Sequence, residues 1–278
     1  GSSKGRDEII AMTSSFHGRT IGALSVGSNK AYKTDIGPVP GKVKFCKFND
    51  SKNLKQLINK KTLAIIIEFI QGDGGINICS RDFAKTIKDI CKKRKILLIA
   101  DEIQGGIGRT GKVFAYKHYG VSPDIITSAK GLGSGIPIGA TIVKKKIAKN
   151  ISIGFHGSTF GGGMLQTRVA FNVLKTINKV GFLNNVKSKG LLLEKLLKKL
   201  NADNEVIKEV RIKGLMAGVE FKNDKTALKI YKETSKNGLV TTLVKGNIIR
   251  ITPPLIIQAE ELKKGVKIIS DCLNTIKI

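Results

Sequence analysis

The sequence lacks any apolar run long enough to cross a bilayer, and its first eight residues lack the apolar centre of a secretory signal. Neither a membrane span nor a leader is expected, and a cytoplasmic location follows as the expectation. Paired cysteines are missing too: Cys46, Cys79, Cys91 and Cys272 form no Cys-x-x-Cys unit and stand at no zinc spacing with the three histidines. They read as reduced thiols, with no metal site. Acidic charge is scarce, with 21 Asp and Glu against 49 Lys and Arg, a formal net charge of +28. Such an excess raises nucleic-acid binding, because clustered cations release counterions from phosphate backbones. Here 41 of the 49 cations are lysines spread along the chain without interleaved aromatic residues, so the excess reads as a drift of the whole composition. Internal repeats and low-complexity linkers are also absent.

What is present is 41% apolar content over 278 residues, enough for one large domain with a smaller companion and incompatible with a disordered or collagen-like chain. The first two thirds alternates β-rich apolar runs with amphipathic or glycine-rich stretches, the pattern of a parallel α/β sheet with crossover connections. Strands are expected at Ile9–Met12, Val43–Phe48, Leu63–Glu68, Ile96–Ala100, Ile125–Thr127 and Ala140–Val143, most of them apolar enough to be buried on both faces. Ser80 can cap a helix with Phe83, Ile87, Ile90 and Cys91 on one face, ending in the basic run Lys92–Lys95. After about Leu165 the texture becomes Lys/Leu-rich, at Asn172–Ile177 and Val186–Leu200, followed by strand-like pieces at Gly214–Phe221 and Asn247–Thr252. The division is expected between residues 1–176 and 177–278, the second part forming a small α+β domain.

In an open parallel sheet, ligands sit beyond the carboxyl ends of the strands. Three apolar runs end in polar residues there: Leu63–Ile67 in Glu68, Ile96–Ala100 in Asp101-Glu102-Ile103-Gln104, and Ile125–Thr127 in Ser128-Ala129-Lys130-Gly131. A lysine and a carboxylate delivered to one sheet edge can serve pyridoxal 5'-phosphate (PLP), the amine meeting its carbonyl and the acid its ring nitrogen. Taken singly, Asp101 reads as a helix cap and Lys130 as a solvated cation. Their joint setting, with Gly131, Gly133 and Gly135 after the lysine to admit a close ligand, argues for a site. Gly106-Ile107-Gly108-Arg109-Thr110-Gly111 matches a dinucleotide fingerprint literally, but Asp101 to Gly105 separate it from the strand, and Val113 stands where a phosphate loop ending in Lys112 needs Ser or Thr.

These segments, with Ser15-Phe16-His17-Gly18-Arg19-Thr20, Glu68-Phe69-Ile70-Gln71-Gly72-Asp73-Gly74-Gly75, Gly108-Arg109-Thr110-Gly111, His156-Gly157-Ser158-Thr159-Phe160-Gly161-Gly162 and Ile249-Arg250-Ile251-Thr252-Pro253-Pro254-Leu255, occur in the order that characterises class III aminotransferases. The sequence resembles that family, and within it the acetylornithine and ornithine aminotransferases. The resemblance implies a fold-type-I PLP-dependent transferase, with helices on both faces of a mostly parallel sheet. It implies Lys130 as the residue that carries the cofactor and moves the proton. Phe16, Asp101, Glu102, Ile103, Gln104 and Thr159 are implied as cofactor-binding, with Asp101 at the ring nitrogen, Gln104 at the ring hydroxyl, Phe16 on the ring face and Thr159 reaching the phosphate of a neighbouring subunit. Arg19, Ser158 and Arg250 are implied as substrate-binding. His17 and His156 receive no proton-transfer role.

The implied reaction moves the terminal amine of N-acetylornithine to 2-oxoglutarate, giving glutamate, in arginine biosynthesis and in a homodimer. Ornithine, succinyl-diaminopimelate and 4-aminobutyrate are the alternative amines, and a non-catalytic assembly partner or a basic nucleic-acid binder the alternatives of another class. Departures from the family pattern are Phe69 for proline, Asp73 for glutamate and Gly163-Met164 for Asn-Pro. A carboxylate one methylene shorter at residue 73 puts in question any alternation of Arg250 between it and substrate. The family also has a glycine-rich phosphate-binding segment upstream of the Phe16 motif, expected to lie outside these 278 residues.

Overall fold

The computed structural model describes residues 5–34 and 36–275. Its first part is a six-stranded sheet built from β1 (Glu8–Met12), β2 (Lys42–Cys46), β3 (Thr62–Ile67), β6 (Leu97–Asp101), β7 (Ile125–Ser128) and β8 (Ala140–Val143). The order is β2-β1-β3-β6-β7-β8, all parallel except β8, which runs antiparallel to β7. The two-stranded hairpin β4 (Ile70–Gln71) and β5 (Asn77–Ile78) lies between β3 and β6 in the chain. Strand positions match the expected runs to within two residues, because continuous β-branched stretches pay least for burial on both faces. Ile10, Met12, Ile65, Ile67 and Phe83 are fully buried in one cluster, each stabilising by roughly 1.5–3 kcal/mol in transfer terms.

Helices α1 (Ile21–Val26), α2 (Ser51–Leu57) and α3 (Arg81–Arg94) lie between these strands in the chain, and α4 (Lys145–Ala148) follows β8. In α3 the Ser80 hydroxyl accepts the Phe83 N–H at 3.1 Å, Asp82 meets the positive end of the helix, and Lys95 ends it in the left-handed region at φ 53°. Its buried residues are Phe83, Ala84, Ile87 and Cys91, with Ile90 packed alongside. All four cysteines are buried and free, and burial pushes the thiols of Cys46, Cys79 and Cys91 up to about 12.

Helix α5 (Met164–Ile177) begins eight residues before the segment expected from the sequence, since Gly163 and Gln166 mask the start of its apolar periodicity. It buries Ala170 and Ile177 beside Ile107 and Leu132. The long helix α6 (Phe182–Ala202) instead joins β9 (Ile207–Ile212), β10 (Ala217–Phe221), α7 (Asp224–Lys236), β11 (Thr242–Val244), β12 (Ile248–Ile251) and α8 (Ala259–Thr275). These strands form an antiparallel sheet, β11-β12-β10-β9. Along β10 the side chains alternate: Ala217, Val219 and Phe221 face the helices with Leu193, Leu197, Ile230 and Ile269, while Gly218 and Glu220 point the other way. We propose that the two parts divide between α5 and α6, because the buried residues of each helix belong to different clusters.

Candidate active site

The register of the first sheet brings polar residues to one edge. Ile67 pairs with Ala100, and Asp101 with Thr127, so the carboxyl ends of β3, β6 and β7 are level and deliver Glu68, Asp101 and Lys130 side by side, with His17 arriving from the end of β1. Asp101 is 6% exposed. His17 donates through Nδ1 to its Oδ2 at 2.6 Å, and the Ile103 N–H donates to Oδ1 at 3.1 Å. No proton-transfer role is expected of His17; in the structure it is the group that orients Asp101. Its signal was its place between Phe16 and Gly18, readable only once β1 and β6 are known to end on the same side.

Glu68 is fully buried, Oε1 accepting the Phe16 N–H at 3.0 Å and Oε2 the Gly72 N–H at 3.1 Å. Burial pushes its carboxyl up to about 7, with His17 pulling down and Asp101 pushing further up. In the unfolded chain the group titrates near 4.5, so folding is favoured most below that pH, and this contribution is lost as pH rises towards 7. It is on the order of 3 kcal/mol. Urea midpoints at pH 5 and pH 7.5 should therefore differ less for Glu68→Gln than for the wild type. An identical pH dependence in both proteins would remove Glu68 from this account.

Lys130 is exposed and follows β7 with φ 45°, a left-handed conformation that costs a non-glycine residue about 1–3 kcal/mol. Ile107 and Ser134 share that strain at φ 52° and 45°. All three line one cavity of about 770 Å³, which also receives Ile103, Gln104 and Arg250. That size suits a small-molecule site. Gly131 and Gly135 border the cavity as expected, but Gly133 does not: a Cβ there would sit 1.9 Å from the Ile136 carbonyl oxygen, so its bareness closes the turn.

Opposite Lys130, Arg250 on β12 donates through Nη1 to Asp73 Oδ1 at 2.6 Å and to Gln104 Oε1 at 3.1 Å. The shorter carboxylate thus still reaches its arginine. Gln104, expected at a ring hydroxyl, spends its oxygen on Arg250, with Nε2 3.5 Å from Asp73 Oδ2. Arg109, in the segment set aside as a false fingerprint, donates to the carbonyls of Leu215 and Pro253, tying the loop after β6 to the second sheet; burial lowers it to about 10. The segment itself is a series of turns, with Gly108 N–H donating to Val113 O.

Other expected residues do not line this cavity. Glu102 accepts the N–H groups of Ala115 and Tyr116 on its carboxylate at 2.7 and 2.8 Å and so fastens the following loop. Its burial pushes it to about 7. Phe16 is half-buried with its ring edge-on to Tyr32, and Arg19 is exposed with its guanidinium 3.8 Å from the centre of the Tyr32 ring. Ser158 and Thr159 sit with His156 in an exposed loop between α4 and α5 and do not border the cavity of their own chain.

An amine and a guanidinium facing one cavity at the carboxyl edge of a parallel sheet, with a buried carboxylate at the next strand end, define a site for carbonyl and carboxylate chemistry. Residues 1–273 match the model of the class-III aminotransferases, and the chain belongs to that family. It is 41% identical over 272 residues to the acetylornithine aminotransferase of Caldanaerobacter subterraneus subsp. tengcongensis, covering 98% of this chain and 69% of that protein. To the succinylornithine transaminase of Yersinia pseudotuberculosis it is 39% identical, covering 94% and 64%. The ornithine aminotransferase of Toxoplasma gondii, crystallised with PLP at partial occupancy in its active site, superimposes with a TM-score of 0.92 at 29% identity, covering 98% of this chain and 65% of that one. The chain therefore spans about two thirds of the length of these relatives. Its fold is that of the PLP-dependent transaminases.

The residues present fit PLP. Lys130 offers an amine, Asp101 a carboxylate fixed by two donors, and the cavity space for a ring. Thr127 Oγ1, Ser128 Oγ and His17 Nε2 are buried polar atoms at this edge with no protein partner among the described residues.

Proposed function

We propose that this chain is the catalytic part of a PLP-dependent aminotransferase acting on the terminal amine of N-acetylornithine, with 2-oxoglutarate as acceptor, in arginine biosynthesis in the cytoplasm. The observation that carries the reading is the meeting of Lys130 and Arg250 at one cavity beside the Asp101 strand end. When bound, PLP supplies a carbonyl for the amine and a ring that accepts the electron pair released at the substrate carbon. Lys130 Nζ takes and returns the proton at that carbon. Asp101, held by His17 and the Ile103 N–H, presents negative charge for a protonated ring nitrogen. Phe16 would flank the ring, and Gln104 fixes the floor of the site through Arg250. Arg250 exchanges Asp73 for a substrate carboxylate, which its planar fork can hold bidentately. The names of the relatives support an acylated ornithine, whose carboxylate Arg19 would take while Arg250 stays on Asp73. A second copy of the chain would cover the loop around Phe155, Phe160 and Met164, all strongly exposed, and receive Ser158 and Thr159 at its own site.

The test is glutamate formation by the full chain with PLP and 2-oxoglutarate, comparing N-acetylornithine, N-succinylornithine, ornithine and 4-aminobutyrate. N-acetylornithine should lead ornithine in kcat/KM by about tenfold or more, since unpaired polar groups penalise the wrong amine. A lead by ornithine would replace the substrate. No transfer from any of the four would remove the reading.

A further inference from the structure

The second sheet carries two arginines in one row. Arg211 on β9 pairs with Gly218 on β10, and Gly218 pairs on its other side with Arg250 on β12. Directly paired residues share a face, so both guanidinium groups stand on the side away from the helices, with a bare backbone between them. Onto that gap fits the turn joining β4 to β5. A Cβ at Gly218 would lie 3.0 Å from Ile76 Cγ1 and 3.3 Å from the Gly75 carbonyl oxygen, and one at Gly75 would lie 2.4 Å from Ile248 Cδ1. Asp73 belongs to this turn, two residues before Gly75.

Arg250 grips the turn through Asp73. Arg211 grips it from the other side: its Nε donates to Gly75 O at 2.8 Å, while Nη1 is anchored by Glu220 Oε2 at 2.6 Å and by Glu209. Its side chain is 13% exposed. A further strap joins the same parts, Lys245 Nζ donating to Ser14 Oγ at 2.7 Å. Ser14, Ile76 and Lys245 all have positive φ, at 60°, 59° and 51°, so local backbone strain gathers where the hairpin meets the second sheet. A turn held only by Asp73 would follow that side chain whenever Arg250 released it. One also fixed through its backbone leaves the carboxylate in place to take Arg250 back.

We propose that Arg211 is a positioning residue which, by holding the Gly75 carbonyl, keeps Asp73 poised against Arg250 and so sets how readily Arg250 turns to a dicarboxylate substrate. This rests on the reading of Arg250 as the carboxylate-binding residue. The planar fork is needed, because a single side chain must satisfy Glu220 and Gly75 O together, and an ammonium reaching Glu220 leaves the carbonyl.

The experiment is peptide-resolved hydrogen exchange and 2-oxoglutarate titration on the full chain for wild type, Arg211→Leu and Arg211→Lys. In both variants exchange across Gly72–Ile76 should rise about tenfold, as expected for loss of one hydrogen bond, while the paired amides of β10 and β12 stay protected. The 2-oxoglutarate dissociation constant should shift by about threefold or more in both, because the competing Asp73 is no longer held. Full protection of the turn in Arg211→Lys would reduce Arg211 to a counter-charge for Glu220 and overturn the proposal. So would exchange rising equally through β9, β10 and β12, which marks a role in the sheet alone. Arg250→Lys serves as the control: unchanged 2-oxoglutarate affinity in it would show that the reading of Arg250 had failed, and with it the link to substrate, whatever the turn does.

Discussion

Replacing Lys130 with alanine is expected to leave the chain folded and to remove its transfer chemistry. The side chain is exposed, and alanine keeps the strained φ of 45° that the turn imposes. Stability should therefore change by no more than about 0.5 kcal/mol. Turnover should fall by roughly 10²–10⁴-fold or more, the range that a positioned proton-transfer group contributes. Arginine at the same place keeps the charge but cannot give up its proton, so Lys130→Arg should fail as completely. Denaturant midpoints, the visible spectrum with PLP and the rate of glutamate formation check this together. A variant that folds, changes the spectrum as the wild type does and transfers the amine at the wild-type rate would end the assignment of Lys130.

Removal of the Asp101 carboxylate should act on both stability and rate. Alanine leaves the His17 ring and the Ile103 N–H without their acceptor in a site only 6% exposed. Breaking a buried pair from one side costs about 3–5 kcal/mol. Asparagine keeps the shape and an oxygen for Ile103, so Asp101→Asn should lose much less stability and separate the two effects. Its rate should still drop on the order of 10²-fold or more, because a neutral amide no longer favours a protonated ring nitrogen. Wild-type turnover in Asp101→Asn would show that the charge does nothing there, whatever its effect on folding.

The parallel sheet was readable because its central strands β1, β3 and β6 are largely buried and carry unbroken runs such as Leu63–Ile67. Their ends were readable for the same reason, since a charged residue such as Asp101 halts the run. Strands β9 and β11 were missed: Ile207–Ile212 alternates lysine, glutamate and arginine with its apolar residues, and Thr242–Val244 is three residues long. Within the site, Lys130, Ile103, Gln104 and Arg250 line one cavity, the first three from just beyond strand ends and Arg250 from within β12. The loop contacts of Glu102 could not be read, because its partners, the backbone N–H groups of Ala115 and Tyr116, leave no mark in side-chain identity. Arg109 was obscured by its glycines, which look like a phosphate loop until the carbonyls of Leu215 and Pro253 are brought to it. The pairing of Arg250 with Asp73 spans 177 positions; the family resemblance implies it, and no local pattern in the chain does.

That span bears on how the molecule comes to its final state. His17 and Asp101 are 84 positions apart, Arg109 and Pro253 144, Arg211 and Gly75 136. Contacts this remote in sequence reward the chain only after long loops have closed, and chains rich in them fold slowly. The β1-β3-β6 centre of the first sheet can form while the last hundred residues are still being synthesised, but Asp73 has no arginine until β12 exists. Cofactor capture that needs only Lys130 and Asp101 should therefore precede recognition of a dicarboxylate during refolding, and the interval between the two would time the arrival of the C-terminal sheet.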